Sequence, residues 1–257
     1  MKKINNFFID KEKKSHQNCL LLKDFIEEFV NENYIYLNLL ELSEILNIPV
    51  NILKDKSKQL ILNKFNFKKG KFNFNDSIFK IFSDYLIFIF LTFSQPLKRK
   101  IFKKKKKETI DLMLDNVTNT DEIYRFKDIL EKYENNLIVL KKKINYDKIS
   151  FSKLKIIYNK NFNNSSDFLK GKSRSLFMFG YKIFKFSIKE KFNFFQVINV
   201  ILNSSIRYQN LFENYDVKFL IHDRSYRTCP IRNFLLKKKC NGTTGFVQVH
   251  LAESVIS

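Results

Sequence analysis

From residue 18 to about residue 63 the apolar positions recur at helical spacing: Leu20, Leu21, Phe25 and Phe29, then Leu39, Leu40, Leu42, Ile45 and Leu46. Within that stretch, residues 39–61 (LLELSEILNIPVNILKDKSKQLI) predict two helices joined by a tight turn at Asn47-Ile48-Pro49. Aromatic and polar residues then alternate over 65–74 (FNFKKGKFNF), the pattern of a hairpin turning at Lys69-Gly70. Residues 78–93 are the most apolar segment, yet Lys80 and Asp84 interrupt it and only 85–93 is unbroken. A spanning helix needs about 20 predominantly apolar residues, so this segment is not expected to cross a bilayer.

Beyond residue 108 the period changes. Residues 109–114 (TIDLML) read as a strand ending at Asp115-Asn116. Thr120-Asp121 is expected to open one helix running to Tyr133, with Ile123, Phe126, Ile129 and Leu130 on one face. Residues 136–140 (NLIVL) and 154–158 (LKIIY) are two further strands. A helical region from Phe168 and a helix over 194–212 follow. The chain then gives a strand at 217–221 (VKFLI), a helix capped by Thr228 with Pro230 in its first turn, a stop at Asn241-Gly242 and a strand at 244–251. Strand, helix, strand units of this kind build parallel sheets. The expected architecture is α/β: a mainly helical region at 1–97, a basic linker at 98–108, and a Rossmann-like domain of about five parallel strands at 109–257.

Charge changes the picture in one place. The net charge is +21, and only 7 of the 47 basic residues are Arg. Lys, Phe, Ile and Asn are residues that an AT-rich genome favours, so much of the excess is open to a coding explanation. The exception is local: Lys98-Arg99-Lys100 and Lys103 to Lys107 follow directly on the apolar segment. An apolar helix leading into a cationic run suits an anionic membrane surface, over the stretch from Tyr85 to Lys107. The alternative is a buried helix followed by a solvated linker. In the second helix of the 39–61 pair, Asn51, Lys54, Lys56 and Lys58 leave open a DNA-reading alternative of the helix-turn-helix type. Cys19, Cys229 and Cys240 have no metal-ligand spacing and are expected as free thiols. The N-terminus has no apolar core of the secretory kind, so a cytoplasmic location, with peripheral attachment to the membrane face, is expected.

Candidate chemistry gathers in 218–257, which holds two of the three His and three of the seven Arg. In a Lys-rich chain, an Arg points to the planar fork that suits phosphate or carboxylate. His222 and Asp223 follow a strand and are the candidate acid/base pair, with Arg224, Tyr226 and Arg227 as substrate-binding residues. His250 and Glu253 lie beyond the last strand and are further binding candidates, whereas Arg232 is expected to be exposed on its helix. No Gly-rich loop follows the 109–114 strand, where Asp115-Asn116-Val117-Thr118-Asn119 stands instead, so no dinucleotide or P-loop cofactor is expected. No cofactor and no metal are assigned.

The strand into His222-Asp223, the helix to Lys239, Asn241-Gly242 and Phe246-Val247-Gln248 together resemble the end of the N-terminal domain in surface-polysaccharide glycosyltransferases of the two-Rossmann, GT-B type, and in related capsule and glycerophosphate-polymer transferases. The resemblance covers roughly 109–257. It departs from the family after Gln248, where Val249-His250-Leu251 replaces His-Gly, so no catalytic role passes to His250. What it implies is the acceptor-side half of an enzyme that moves sugar from a nucleotide-activated donor to a glycan or lipid-linked acceptor. It adds Asp115, Asn116 and Gln248 as acceptor-side candidates. It also implies a second Rossmann domain after Ser257 to bind the donor, without which the chain is expected to be inactive. A nucleic-acid-binding protein and a non-catalytic interaction protein are the rival classes.

Overall fold

The apolar runs read as strands pair into a single parallel sheet, and the helical stretches pack as helices. The computed structural model describes residues 15–31, 33–62, 65–66, 71–72, 76–97, 107–142, 154–158, 169, 171–222 and 229–246. In chain order the first elements are α1 (Ser15–Asn31), α2 (Asn33–Leu46), α3 (Val50–Leu62), the short strands β1 (Phe65–Asn66) and β2 (Lys71–Phe72), and α4 (Ile78–Leu97). Next come β3 (Glu108–Val117), the short helices α5 (Thr120–Tyr124) and α6 (Lys127–Leu130), β4 (Asn136–Leu140) and β5 (Leu154–Tyr158). The rest are α7 (Ser173–Glu190), α8 (Phe195–Asn214), β6 (Tyr215–His222), α9 (Pro230–Cys240) and β7 (Thr243–Phe246).

The chain divides into two compact units that do not follow it linearly: Met1–Ser94 with Gly171–Leu202, and Gln95–Lys170 with Asn203–Ser257. The first unit is helical. The α2–α3 turn forms as its residues predict: Asn47 takes a left-handed φ of 54° and the Ile48 N–H donates to the Ser43 carbonyl at 3.2 Å. Leu39, Leu42, Leu46, Leu53 and Ile61 bury the inner faces of this helix pair. Lys54 and Lys58, which DNA reading would need at phosphates, both bind Glu27. Further along, α4 sets Phe88 directly against Gly180 of α7, where any side chain would collide with the ring. β1 and β2 pair antiparallel, as the aromatic alternation suggested; the turn residues Lys69 and Gly70 lie outside the described residues. Among the described residues, no helix is long and apolar enough to cross a membrane.

The second unit holds a five-stranded, all-parallel sheet in the order β5-β4-β3-β6-β7. Counting only its own strands along the chain, that order is third, second, first, fourth, fifth. This is a doubly wound, Rossmann-like α/β arrangement. On one face Leu112, Leu114, Ile138 and Leu140 pack with Ile123, Phe126 and Leu130 of the α5–α6 segment. That segment was expected to be one helix to Tyr133. It is two short helices because the chain tightens at Phe126, whose N–H donates to the Ile123 carbonyl three residues back. It opens at Thr120, as expected, with Asn119 as its cap: the Asn119 side chain accepts from the Glu122 N–H at 2.9 Å, while Glu122 accepts from the Thr118 hydroxyl and N–H.

α9 begins as Pro230 at its first position foretold, but its N-cap is Cys229, which makes no side-chain capping bond. The expected cap, Thr228, lies outside the described residues. The helix ends at Asn241 in the left-handed conformation (φ 51°), with Gly242 packed directly on the Val217 carbonyl of β6. Lys107, last of the cationic run, donates to the Lys239 carbonyl at 3.0 Å and so serves the end of α9. Residues 98–106 of that run lie outside the described residues.

Candidate functional site

In a sheet of this order the crevice for ligands opens where the crossovers leave in opposite directions, outside the carboxyl ends of the two central strands. Here those strands are β3 and β6. Their last pairing is Leu114 with Ile221, so Asp115 and His222, the next residues, stand side by side at the rim. The strand alternation turns both toward the same face, opposite the Leu112–Leu114 core. A bulge follows at once: Asn116 adopts φ 61° and the β3–β4 register shifts between Asp115 and Val117. Such a bulge ends the pairing and re-aims the chain at the strand end.

Asp115 is the hub. Its side chain is completely buried, and each carboxylate oxygen is taken. The Arg207 guanidinium donates to Oδ1 at 2.5 Å. Onto Oδ2 converge the Tyr208 hydroxyl at 2.7 Å, the Arg232 guanidinium at 3.0 Å and the Asn116 amide at 3.1 Å. Arg207 also donates to Asn116 Oδ1 at 3.2 Å and lies over the Tyr208 ring, 4.5 Å from its centroid. Arg207 and Tyr208 come from α8 and Arg232 from the first turn of α9, all within the second unit.

The electrostatics follow from that geometry. Burial by itself would push the Asp115 carboxyl up, but the Arg207 and Arg232 guanidiniums and the Tyr208 hydroxyl outweigh it and hold the group below the usual carboxylate range. Asp115 therefore stays ionised and, with both oxygens already accepting from neighbouring donors, acts as an organiser of arginines, not as a base. Burial, and then the Asp115 charge, push the Tyr208 phenol well above its ordinary value, so it remains a donor. His222 is buried at the rim, paired along the backbone with Phe246 of β7.

Of the residues expected at the site, the structure brings Asp115, Asn116 and His222 to adjacent strand ends. Asp223, Arg224, Tyr226, Arg227, Gln248, His250 and Glu253 lie outside the described residues. Arg232 corrects its expectation: it is 1% exposed, held inward because Asp115 supplies the charge that lets a guanidinium be buried. Arg207 and Tyr208 were not anticipated. The signal was there, since Arg207 is one of only 7 arginines in the chain. Cys229 and Cys240 are both free, and no group of metal-binding side chains is found among the described residues. Comparisons with protein-family models, curated proteins and solved structures find no match.

Proposed function

We propose that this chain is the acceptor-side half of a surface-polysaccharide glycosyltransferase-like enzyme, binding its acceptor at the β3–β6 strand ends and working at a membrane face. The observation that carries the reading is the position of Asp115-Asn116 and His222 on the two strands that flank the switch point. The absence of a Gly-rich loop after β3 fits an acceptor better than a dinucleotide. In this reading His222, with Asp223 beside it in sequence, removes the proton of an acceptor hydroxyl as that oxygen attacks the anomeric carbon. The new carbon–oxygen bond forms as the bond to the donor's phosphate oxygen breaks, and the nucleotide leaves with the electron pair. In this reading the β3–β6 strand ends hold the acceptor, and the donor belongs to a second nucleotide-binding domain.

The membrane part of the proposal is supported by α4, whose described outer residues Ile78, Phe79, Phe82, Leu86, Ile87, Phe90 and Phe93 are all exposed. In sequence the cationic run starts one residue after that helix.

Saturation-transfer NMR on the full chain, with soluble glycan acceptors, lipid-linked glycans and nucleotide sugars, tests the reading. Acceptors should bind, nucleotide sugars should not, and His222→Gln should weaken acceptor binding by about tenfold, the worth of one lost hydrogen bond. Binding of no acceptor, or an affinity indifferent to His222 in a folded variant, would sink it.

A further inference from the structure

We infer that Arg207 and Arg232 form a binding site for a phosphate-type oxyanion, a conclusion that gives the switch-point site a ligand class and rests on that reading of it. The first argument is charge balance. Among the described residues, three ionised side chains meet in this cluster, two guanidiniums and one carboxylate, and Asp115 is the partner of both arginines. At the other end of the same strand the charges are matched one to one: Asp111 with Lys218 at 2.7 Å, and Glu108 with Lys155. Among the described residues the rim cluster carries one more cation than anion, and, unlike the solvent-accessible pairing of Lys54 and Lys58 with Glu27, it carries that surplus where Arg232 is 1% and Arg207 only 13% exposed. Burying a cation without its full complement of negative charge is strongly unfavourable.

The second argument is the count of donors. Arg232 uses Nη1 on Asp115 and Nε on the Asn233 side chain. Arg207 uses Nη2 on Asp115 and Nη1 on Asn116. That leaves Arg232 Nη2 and Arg207 Nε buried with no hydrogen-bond partner. Buried donors are normally satisfied. Two spare guanidinium N–H groups, on two forks already fixed through one carboxylate, suit an oxyanion with several acceptor oxygens. The first turn of α9 adds to this, because its N-cap Cys229 contributes no side-chain acceptor. Arg207 keeps the solvent-facing edge and is the side from which an anion would enter.

The test is thermal and urea unfolding of the full chain in inorganic phosphate against chloride at equal ionic strength, for wild type, Arg207→Gln and Asp115→Asn. Phosphate should stabilise the wild type by mass action. Arg207→Gln should weaken the phosphate affinity by about tenfold or more, the loss of a charge-assisted hydrogen bond. Asp115→Asn keeps both guanidiniums and removes the competing negative charge, so it should tighten phosphate binding. A lysine-rich surface that collects phosphate non-specifically predicts the same response in all three proteins, and that result overturns the proposal. Arg207→Gln removes only a partly exposed partner, and it decides the matter even if Asp115→Asn does not fold. A nucleoside monophosphate and a sugar phosphate, run beside inorganic phosphate, identify which molecule carries the anion. If phosphate responds to the substitutions but no glycan binds, the anion site stands and the acceptor-side reading falls.

Discussion

Asp115 is shared by two guanidiniums, so removing it does more damage than removing either partner. Asp115→Ala leaves Arg232, 1% exposed, without a counter-charge and also opens a small void. Breaking a buried pair from one side costs about 3–5 kcal/mol, and urea unfolding at neutral pH should show a loss of that size. The pH dependence has a definite sign. The folded-state pKa of Asp115 lies below its ordinary value, so its contribution is complete above an unfolded pKa of about 3.9 and is lost as the pH falls toward the folded one. The stability gap between wild type and Asp115→Asn should therefore be constant at pH 6 to 7 (values to set in the experiment, roughly two units above that pKa) and shrink in acid. A gap that is flat through acid would mean that Asp115 is not ionised in the folded protein. At this scale the sequence was half legible. His222 stands out as a polar residue ending an apolar strand run, whereas Asp115 and Asn116 enter as candidates only through the family resemblance. Arg207 and Arg232 are marked only by being arginines in a Lys-rich chain and Tyr208 by nothing, because the three reach Asp115 from 92, 117 and 93 positions away and no local spacing reports such a meeting.

At the scale of elements, the close approach of α9 and β6 depends on a missing side chain. A Cβ on Gly242 would overlap the Val217 carbonyl oxygen and come within 2.7 Å of Leu236 Cδ1. The Leu236 side chain can shift, but a strand carbonyl cannot, so Gly242→Ala should cost about 1–3 kcal/mol by the usual penalty of overpacking. Gly180→Ala meets the ring of Phe88 instead, and there Phe88→Leu should recover part of the loss, a rescue unavailable at Gly242. Urea midpoints of the three variants and the double variant check both statements. The elements themselves were read with fair success, for physical reasons that differ. β4 and β5 are short apolar runs between polar stretches, and α9 carries signals at both ends: Pro230, three lysines in its last turn and Asn241-Gly242. The 120–133 segment was drawn as one helix because Ile123, Phe126 and Leu130 fit a helical stripe. Burial of those same three residues in one cluster is met equally by two short helices with a kink at Phe126. The compact units were less visible still. Residues 171–202 group with the N-terminal helices, a matter of tertiary packing that a linear scan for linkers does not reach.

For the whole molecule, the decisive quantity is apolar surface left in water. Phe79 is 84% and Phe90 64% exposed on α4, and Phe93 meets the ring of Phe177 on α7, which is itself 43% exposed. Scattered exposed apolar residues need no explanation, but a stripe along one helix that continues onto a second marks an interaction surface. A net charge of +21, with eight cationic residues within 98–107, selects an anionic lipid face as the proposed occupant. Each Lys or Arg near such a surface contributes about 1 kcal/mol, and each buried Phe about 1.5–3 kcal/mol. The two contributions separate experimentally. Sedimentation with vesicles of phosphatidylcholine alone, and with a fraction of phosphatidylglycerol, should show binding only to the second. Raising salt toward about 1 M shortens the screening length from roughly 10 Å to 3 Å and should release most of the protein. Phe79→Glu with Phe90→Glu should abolish binding at low salt, although neither change touches a cation. If that double variant binds as well as wild type, the lysines act alone and α4 is no anchor. If the wild type ignores vesicles and instead forms a dimer that the same substitutions dissolve, the stripe belongs to a second copy of the chain, and the membrane-face reading falls with it.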